Sequence, residues 1–194
     1  MRKYIVAALL ASSFAAAPAL AQDGAPFTGP RIEGLVGWDR SQVEDGGRED
    51  GVAYGVGVGY DFQMGGAVVG IEGEAAASTT DECVTDAVTT GDELCFKAKR
   101  DLYAGARIGT VVGSSTLLYA KGGYTNARYG LEYDDGGSGA GDYDLSRNLD
   151  GARIGAGLEH AIGPNSFVKA EYRYSNYEDG FERHQALAGF GFRF

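Results

Sequence analysis

Apolar and polar residues alternate with a period of two along most of the chain. In 51–62, every second residue from Val52 to Phe62 is Val, Tyr or Phe, and the residues between them are Ala, Gly and Asp. Strict alternation puts the apolar side chains on one side of a strand, whereas a helix repeats them every three or four positions. The pattern predicts a strand here and seven more at 30–39, 67–76, 96–111, 117–129, 150–162, 167–176 and 183–194.

The connections between these strands alternate between long and short. The short ones are 63–66, 112–115 and 163–166, and the long ones are 40–50, 77–95, 130–149 and 177–182. An even number of strands of about ten residues, with short turns on one side and long loops on the other, is typical of a transmembrane barrel. In lipid such a sheet must close, because no strand edge can stay unpaired. The predicted fold is an all-β, eight-stranded antiparallel up-and-down transmembrane β-barrel over 30–194.

One face of the predicted strands combines long charged side chains with many glycines. On a surface in water those glycines only weaken the strands, whereas inside a narrow barrel they leave volume for long side chains. We therefore expect this face to line the lumen, with its charges paired; a soluble barrel or sandwich is the alternative. The predicted lumen network is Glu33, Glu72, Glu74, Asp101, Arg107, Lys121, Arg153, Glu159, Lys169, Glu171, Arg173 and Arg193, with Asp61, Lys97, Lys99 and Arg183 on the same face.

Aromatic residues lie near both ends of the strands, which predicts one aromatic belt at each membrane interface. The belt beside the short turns comprises Tyr60, Phe62, Phe167, Phe192 and Phe194. The belt beside the long loops comprises Trp38, Phe96, Tyr129, Tyr174 and Tyr177.

Charge is concentrated in the loops. The chain has a net charge of −10, which excludes nucleic acid as a partner. Segments 40–50, 77–95, 130–150 and 176–182 hold 18 of the 27 acidic residues and 3 of the 17 basic ones. These acidic loops predict contact with a host or other surface ligand, or with lipopolysaccharide through divalent cations. Asp134-Asp135 and Asp142-x-Asp144 lack calcium-loop spacing, and we predict no metal site and no cofactor.

The first segment has the features of an export signal. Residues 1–21 begin with Arg2 and Lys3, continue with an apolar run, and end with the small residues Ala19 and Ala21 at the positions that a signal peptidase reads. We expect cleavage before Gln22 and a short periplasmic segment at 22–29. Cys83 and Cys95 are the two cysteines of the chain, and an oxidising compartment favours a disulfide between them. Zinc needs more ligands than they supply.

Catalysis is not predicted. His184, Ser175 and Glu182 are close in the predicted barrel, but Ser175 points inward and His184 outward, so they do not form a triad. His160 falls at the end of the barrel away from surface lipid. The lumen carboxylates are close to many basic residues, which favours structural ion pairs over acid–base chemistry.

Several short motifs, in this order, carry a resemblance to a known family. They are Tyr-Ala-Lys-Gly-Gly-Tyr at 119–124, Gly-Ala-Gly-Leu-Glu at 155–159, Lys-Ala-Glu-Tyr-Arg-Tyr at 169–174 and the closing Gly-Phe-Arg-Phe at 191–194. With the export signal and the eight strands, 27–194 resembles the OmpA-like, opacity-protein group of small outer-membrane barrels common in alphaproteobacteria. OmpA continues into a peptidoglycan-binding domain, whereas this sequence stops at Phe194, so tethering to the cell wall is not expected.

The resemblance implies location in the outer membrane and a role in envelope integrity, surface adhesion or small-solute passage. We expect a structural or surface-interaction protein that is not an enzyme. Two alternatives stay open, a narrow porin-like channel and a lipid A-modifying hydrolase. The resemblance also implies that Phe190, Phe192 and Phe194 form the signal that the outer-membrane assembly machinery recognises.

Deletion of Phe194 is expected to slow insertion into the outer membrane and to send the chain to periplasmic proteases. The barrel refolded in detergent should keep a stability close to that of the wild type, because only one peripheral ring is lost. Pulse-chase fractionation and unfolding in detergent measure the two effects separately. Normal rate and yield of insertion for the deletion variant would contradict the terminal signal.

Overall fold

The strands form one continuous antiparallel ring. The computed structural model describes residues 26–43, 48–79, 81–85, 93–134 and 143–194. A 3-10 turn, Glu178–Gly180, joins the last two strands. The strands are β1 Gly29–Val43, β2 Arg48–Met64, β3 Ala67–Ser78, β4 Asp81–Thr85, β5 Glu93–Val112, β6 Thr116–Asp134, β7 Tyr143–Ala161, β8 Ser166–Tyr177 and β9 Phe181–Arg193.

Pairing between β3 and β5 and between β9 and β1 closes the ring. Its order is β1-β2-β3-β5-β6-β7-β8-β9, with antiparallel pairing at each step. The short strand β4 pairs with the outer part of β5 and continues the line of β3 beyond Ser78. Eight strands therefore make up the barrel wall, and the predicted closed β-barrel is confirmed.

The two faces of the wall differ in polarity as the glycine argument predicts. Ile71, Ile108 and Ile154 point outward and expose 68, 62 and 63% of their surface. A continuous apolar surface of this kind is unfavourable in water and matches the hydrocarbon of a bilayer. On the other face, the charged neighbours Glu72, Arg107 and Arg153 are buried. Among the residues that the structure describes, no helix is long and apolar enough to cross a membrane.

The prediction of the aromatic belts is wrong for two residues. Phe167 and Tyr177 point into the barrel and are 1% and 3% exposed. The belts were assigned from height along the strand alone, and both residues have the parity of the lumen face. Trp38, Tyr60, Phe62, Phe192 and Phe194 lie on the outside as predicted, and Tyr174 is half-buried. The side chains of Phe96 and Tyr129 lie outside the described residues.

The strands beside the long loops extend further than predicted. β1 continues to Val43 and β2 starts at Arg48, within the predicted loop 40–50. β6 continues to Asp134 and β7 starts at Tyr143, and β4 lies within the predicted loop 77–95. Beyond the membrane both faces of a strand are wet, so the ladder continues without the alternation that reveals it in sequence.

The opposite end of the barrel has tight turns and an apolar plug. Gly65 and Gly113 have φ values of 62° and 69°, which favour glycine in the short turns. Phe27 precedes β1, is fully buried, and packs in one cluster with Val68 and Leu117. Its backbone N–H donates to Oε1 of Gln63 at 3.1 Å, which fixes the chain at this mouth.

The cysteines are placed by the backbone register. Cys83 of β4 lies directly opposite Cys95 of β5, and the Cα separation of directly opposed residues in antiparallel pairs falls within the range of disulfides. Their side chains lie outside the described residues, so the disulfide stays a prediction. The signal segment 1–21, with Ala19 and Ala21, also lies outside the described residues.

Candidate functional site

The lumen holds an ion-pair network that runs along the whole barrel. Every barrel strand contributes inward-facing charged residues, because alternate residues of each strand point inward. In the part of the chain that the structure describes, eight acidic and eight basic side chains of the network are buried, so their charges balance. The acids are Glu33, Asp39, Asp61, Glu72, Glu74, Asp101, Glu159 and Glu171, and the bases are Arg31, Arg107, Lys121, Arg153, Lys169, Arg173, Arg183 and Arg193.

Near the short turns, two carboxylates share several guanidinium groups. Arg107 contacts Asp61 at 2.5 Å through Nη2 and Glu159 at 3.0 Å through Nη1. Arg193 contacts the same two carboxylates at 2.9 and 2.8 Å. Arg31 adds a contact to Asp61 at 3.2 Å. Residues of β1, β2, β5, β7 and β9 are thereby joined across the barrel.

At mid-height of the barrel, Lys121 and Lys169 contact glutamates of the lumen. Nζ of Lys121 lies 2.8, 2.5 and 3.1 Å from carboxylate oxygens of Glu72, Glu74 and Glu171. Lys169 contacts Glu171 at 3.3 Å. Nη1 of Arg173 lies 2.5 Å from Glu74. These contacts bring most of the predicted network into one cluster.

Two further contacts join this central cluster to β1. Lys169 lies 2.8 Å from Oε1 of Glu33. Arg31 contacts Glu33 at 2.8 Å and also Glu72. The cluster is therefore continuous with the contacts near the short turns, because Arg31 belongs to both.

Toward the long loops, Asp101 and Asp39 bind Arg153 and Arg183. Asp101 accepts from Arg153 at 2.5 Å and from Arg183 at 3.0 Å. Asp39 accepts from Arg183 at 2.7 and 2.5 Å. Ser78 donates its hydroxyl to Asp39 at 2.5 Å. The lumen is therefore closed by charged side chains at this end as well.

Aromatic rings and glycines fit the network into a narrow space. Lys121 lies 4.6 Å from the ring centre of Tyr103, and Arg107 lies 5.1 Å from that of Tyr119. A Cβ atom on Gly57 would lie 2.8 Å from Oε1 of Glu33. One on Gly157 would lie 2.7 Å from the hydroxyl oxygen of Tyr119. The inward glycines thus provide the space that the charged side chains occupy.

The structure brings all twelve predicted lumen residues into this network. Two more members, Arg31 and Asp39, were missed in the sequence. Both lie within the predicted strand 30–39 and have the parity of Glu33, so the same alternation already placed them on the lumen face. Lys97 and Lys99 have side chains outside the described residues.

The residues weighed for catalysis are separated by the barrel wall. Oγ of Ser175 lies inside and accepts from Nε of Arg153 at 2.7 Å. His184 lies outside, where its Nδ1 and the hydroxyl of Tyr172 are 2.7 Å apart. Among the described residues, no group of three or more His, Cys, Asp and Glu could hold a metal ion.

On the outer surface, the long-loop end carries a separate exposed pair. Arg40 donates to both carboxylate oxygens of Asp50 at 2.8 and 3.0 Å. Nε1 of Trp38 donates to the same group at 3.1 Å. The hydrogen bond from Arg40 lowers the pKa of the Asp50 carboxyl below its usual value. The opposite charges of Arg40 and Asp50 therefore cancel each other beyond the apolar band.

The three C-terminal aromatic residues lie on the outside at the short-turn end. Phe190, Phe192 and Phe194 expose 48, 45 and 56% of their surface, and the first two rings meet edge to face at 5.1 Å. The backbone N–H of Phe194 donates to the carbonyl oxygen of Pro30 at 2.9 Å. Their role as an assembly signal stays a prediction.

Comparisons with known proteins agree on the fold. The family described as "Outer membrane protein beta-barrel domain" matches residues 7–194. No curated protein matches the sequence. One similar structure is Ail, the attachment invasion locus protein of Yersinia pestis, in complex with the heparin analogue sucrose octasulfate. Its sequence is 20% identical to this chain and its TM-score is 0.57, and the match covers 86% of this chain and 99% of that chain. Neisserial surface protein A is 16% identical with a TM-score of 0.58, covering 86% and 98%.

Replacing Arg107 by Ala is expected to lower the free energy of unfolding by about 3–5 kcal/mol, because Asp61 and Glu159 lose a buried partner. Urea unfolding of the barrel in detergent micelles measures it. Arg40→Ala is the matched control: its partner Asp50 is exposed, so the loss should be much smaller than for Arg107→Ala. Equal losses for the two variants would show that the lumen contacts add little.

Proposed function

This chain belongs to the family of outer membrane protein β-barrel domains, and from that we propose that it is a non-conducting barrel that presents acidic loops at the cell surface. The observation that carries the proposal is the filled lumen. Its sixteen charged side chains are each at most 6% exposed. The barrel then serves as a rigid support, and the function resides in what the loops contact.

The lumen contacts argue against a narrow channel. Passage of an ion or solute requires a continuous water-filled path, and an eight-stranded barrel is narrow enough for side chains to fill it. Opening a path means separating buried pairs such as Lys121 and Glu74, 2.5 Å apart. Leaving a buried ion without a partner costs several kcal/mol. The paired state is therefore the stable one.

The extended strands support the role of the loops. β5, β6 and β7 reach well past the apolar residues Leu102, Tyr124 and Ile154 toward the long loops. Strand pairing, for example of Glu132 with Asp144, continues in this region. The loops are therefore mounted on paired strands that project from the membrane.

The charge of the loops selects the kind of surface ligand. Ail is described in complex with a heparin analogue, sucrose octasulfate, which is a polyanion. In this chain the long loops hold 18 acidic and 3 basic residues. A polyanion has the wrong sign for such loops, whereas cationic groups, or anionic surfaces bridged by divalent cations, are complementary to them.

An enzymatic role lacks support from the geometry. Within the described residues, the only serine and histidine that the sequence brought close together lie on opposite sides of the wall. The buried carboxylates near mid-height are all engaged by lysine or arginine. We therefore propose a structural and surface-interaction role rather than lipid A hydrolysis.

In planar bilayers the wild-type barrel is expected to show no steady conductance of nanosiemens scale. Replacing both Lys121 and Arg173 by Ala removes two long side chains that converge on Glu74, and should raise the conductance. Arg40→Ala, outside the lumen, should leave it unchanged. Steady wild-type channels of nanosiemens scale would refute the closed lumen and favour the porin alternative.

Cells that lack the protein are expected to adhere less to a polylysine-coated surface than wild-type cells, with no difference on heparin. Complementation with the variant Asp134→Asn/Asp135→Asn/Asp142→Asn/Asp144→Asn should restore detergent resistance but not adhesion, because it removes only acidic charge at and between the outer ends of β6 and β7. The proposal fails if the deletion changes neither adhesion nor detergent resistance.

A further inference from the structure

Two arginines face each other on the outer surface of the barrel wall. Arg100 of β5 lies directly opposite Arg128 of β6 in the strand register. Both side chains are exposed, and the neighbouring Asp101 and Ala127 are buried inside. Side chains that are directly opposed on one face have Cβ atoms about 4.5–5.5 Å apart, and like charges at that distance destabilise the pairing. The arrangement is therefore unfavourable for the isolated chain.

Neither guanidinium is neutralised by the part of the chain that the structure describes. Nη2 of Arg128 donates to the neutral hydroxyl of Ser146 at 2.5 Å. The nearby carboxylate on this face, Asp150, accepts instead from Tyr124 at 2.5 Å and from Asn126 at 2.6 Å.

Other outward and inward arginines behave differently. Arg40 is also exposed on the outer surface, but it holds Asp50 through two hydrogen bonds. The buried arginines of the lumen are each held by carboxylates, as Arg107 is by Asp61 and Glu159. Arg100 and Arg128 therefore differ in lacking such a partner among the described residues.

The height of the pair on the wall indicates which anion it meets. Leu102, two residues along β5, and Tyr124, four residues along β6, expose 37% and 54% of their surface within the apolar band. On β5 and β6, Arg100 and Arg128 are the next outward-facing charged residues toward the long loops. They lie where hydrocarbon gives way to headgroups, which is the level of lipid phosphates.

The local backbone shapes this position. The register between β5 and β6 shifts between Ala98 and Arg100, which makes Lys99 the extra residue of a β-bulge. Bulges increase the local twist and redirect neighbouring side chains. On β7, the neutral Asn148 lies opposite Arg128. The neutral polar residues Ser146 and Asn148 beside Arg128 leave its charge available.

We propose that Arg100 and Arg128 together bind a phosphate group of an outer-leaflet lipid headgroup. Two guanidinium groups match the charge of a phosphate dianion and its several acceptor oxygens. Free anions in solution are disfavoured, because the chain carries a net charge of −10 and its acidic loops repel them. A lipid phosphate is held at this level by the bilayer, so the lipid is the favoured source.

The test uses the folded barrel in dodecyl maltoside micelles, which contain no phosphate. The probes are diphosphorylated lipid A, lipid A from which both phosphates have been removed, and inorganic phosphate. Native mass spectrometry measures binding. The variant Arg100→Gln/Arg128→Gln is expected to bind diphosphorylated lipid A roughly tenfold or more weakly than the wild type, because charge-assisted hydrogen bonds are lost.

The controls separate the phosphate from the rest of the lipid. Arg40→Gln should bind diphosphorylated lipid A like the wild type, and lipid A without phosphates should bind the wild type and the double variant equally. Arg128→Glu supplies Arg100 with a partner within the chain. It should raise the melting temperature in lipid-free micelles while it weakens binding of diphosphorylated lipid A.

Equal binding of diphosphorylated lipid A by the wild type and the double variant would overturn the proposal. Inorganic phosphate bound as tightly as lipid A would overturn the assignment to a lipid. If the double variant does not fold, Arg128→Glu carries the test, and unchanged lipid binding by that variant would overturn the proposal in the same way.

Discussion

A backbone N–H or C=O group without a partner costs several kcal/mol in hydrocarbon, so a sheet can cross a membrane only if it closes on itself. In this chain the closure runs through β3 with β5 and β9 with β1. Once the ring is closed, every second residue of each strand must point into the narrow lumen that eight strands enclose. The composition of the lumen, the apolar outer band and the position of the glycines all follow from that condition.

The closed ring then imposes a charge balance. Among the described residues, eight acids and eight bases are buried in the lumen, and none of them would be tolerated singly. The contacts are shared rather than pairwise: Lys121 contacts three glutamates, and Asp61 contacts three arginines. Shared contacts join strands that are distant in sequence. The network therefore supports the shape of the barrel as well as filling it.

The alternation in the sequence predicted the architecture and the lumen residues, since burial on one face and lipid on the other leave a clear period of two. It failed where that contrast is absent. The outer extensions of β6 and β7 and the short strand β4 lack the alternation in sequence, so only the backbone pairing reveals them. Phe27 was also missed, because a residue just before the first strand carries no periodic signal.

The pairing of β1 with β9 has a consequence for how the barrel forms. Arg183 and Asp39, which meet across this seam, are 144 positions apart in the sequence. Contacts of such separation make folding slow, because the entropy of closing a long loop is lost before the contact forms. β1 cannot pair with β9 until β9, the last strand, is available. Until then β1 exposes an unpaired edge and an apolar face. The chain must therefore stay unfolded and protected from aggregation until it reaches the outer membrane. Its insertion into the membrane follows translation.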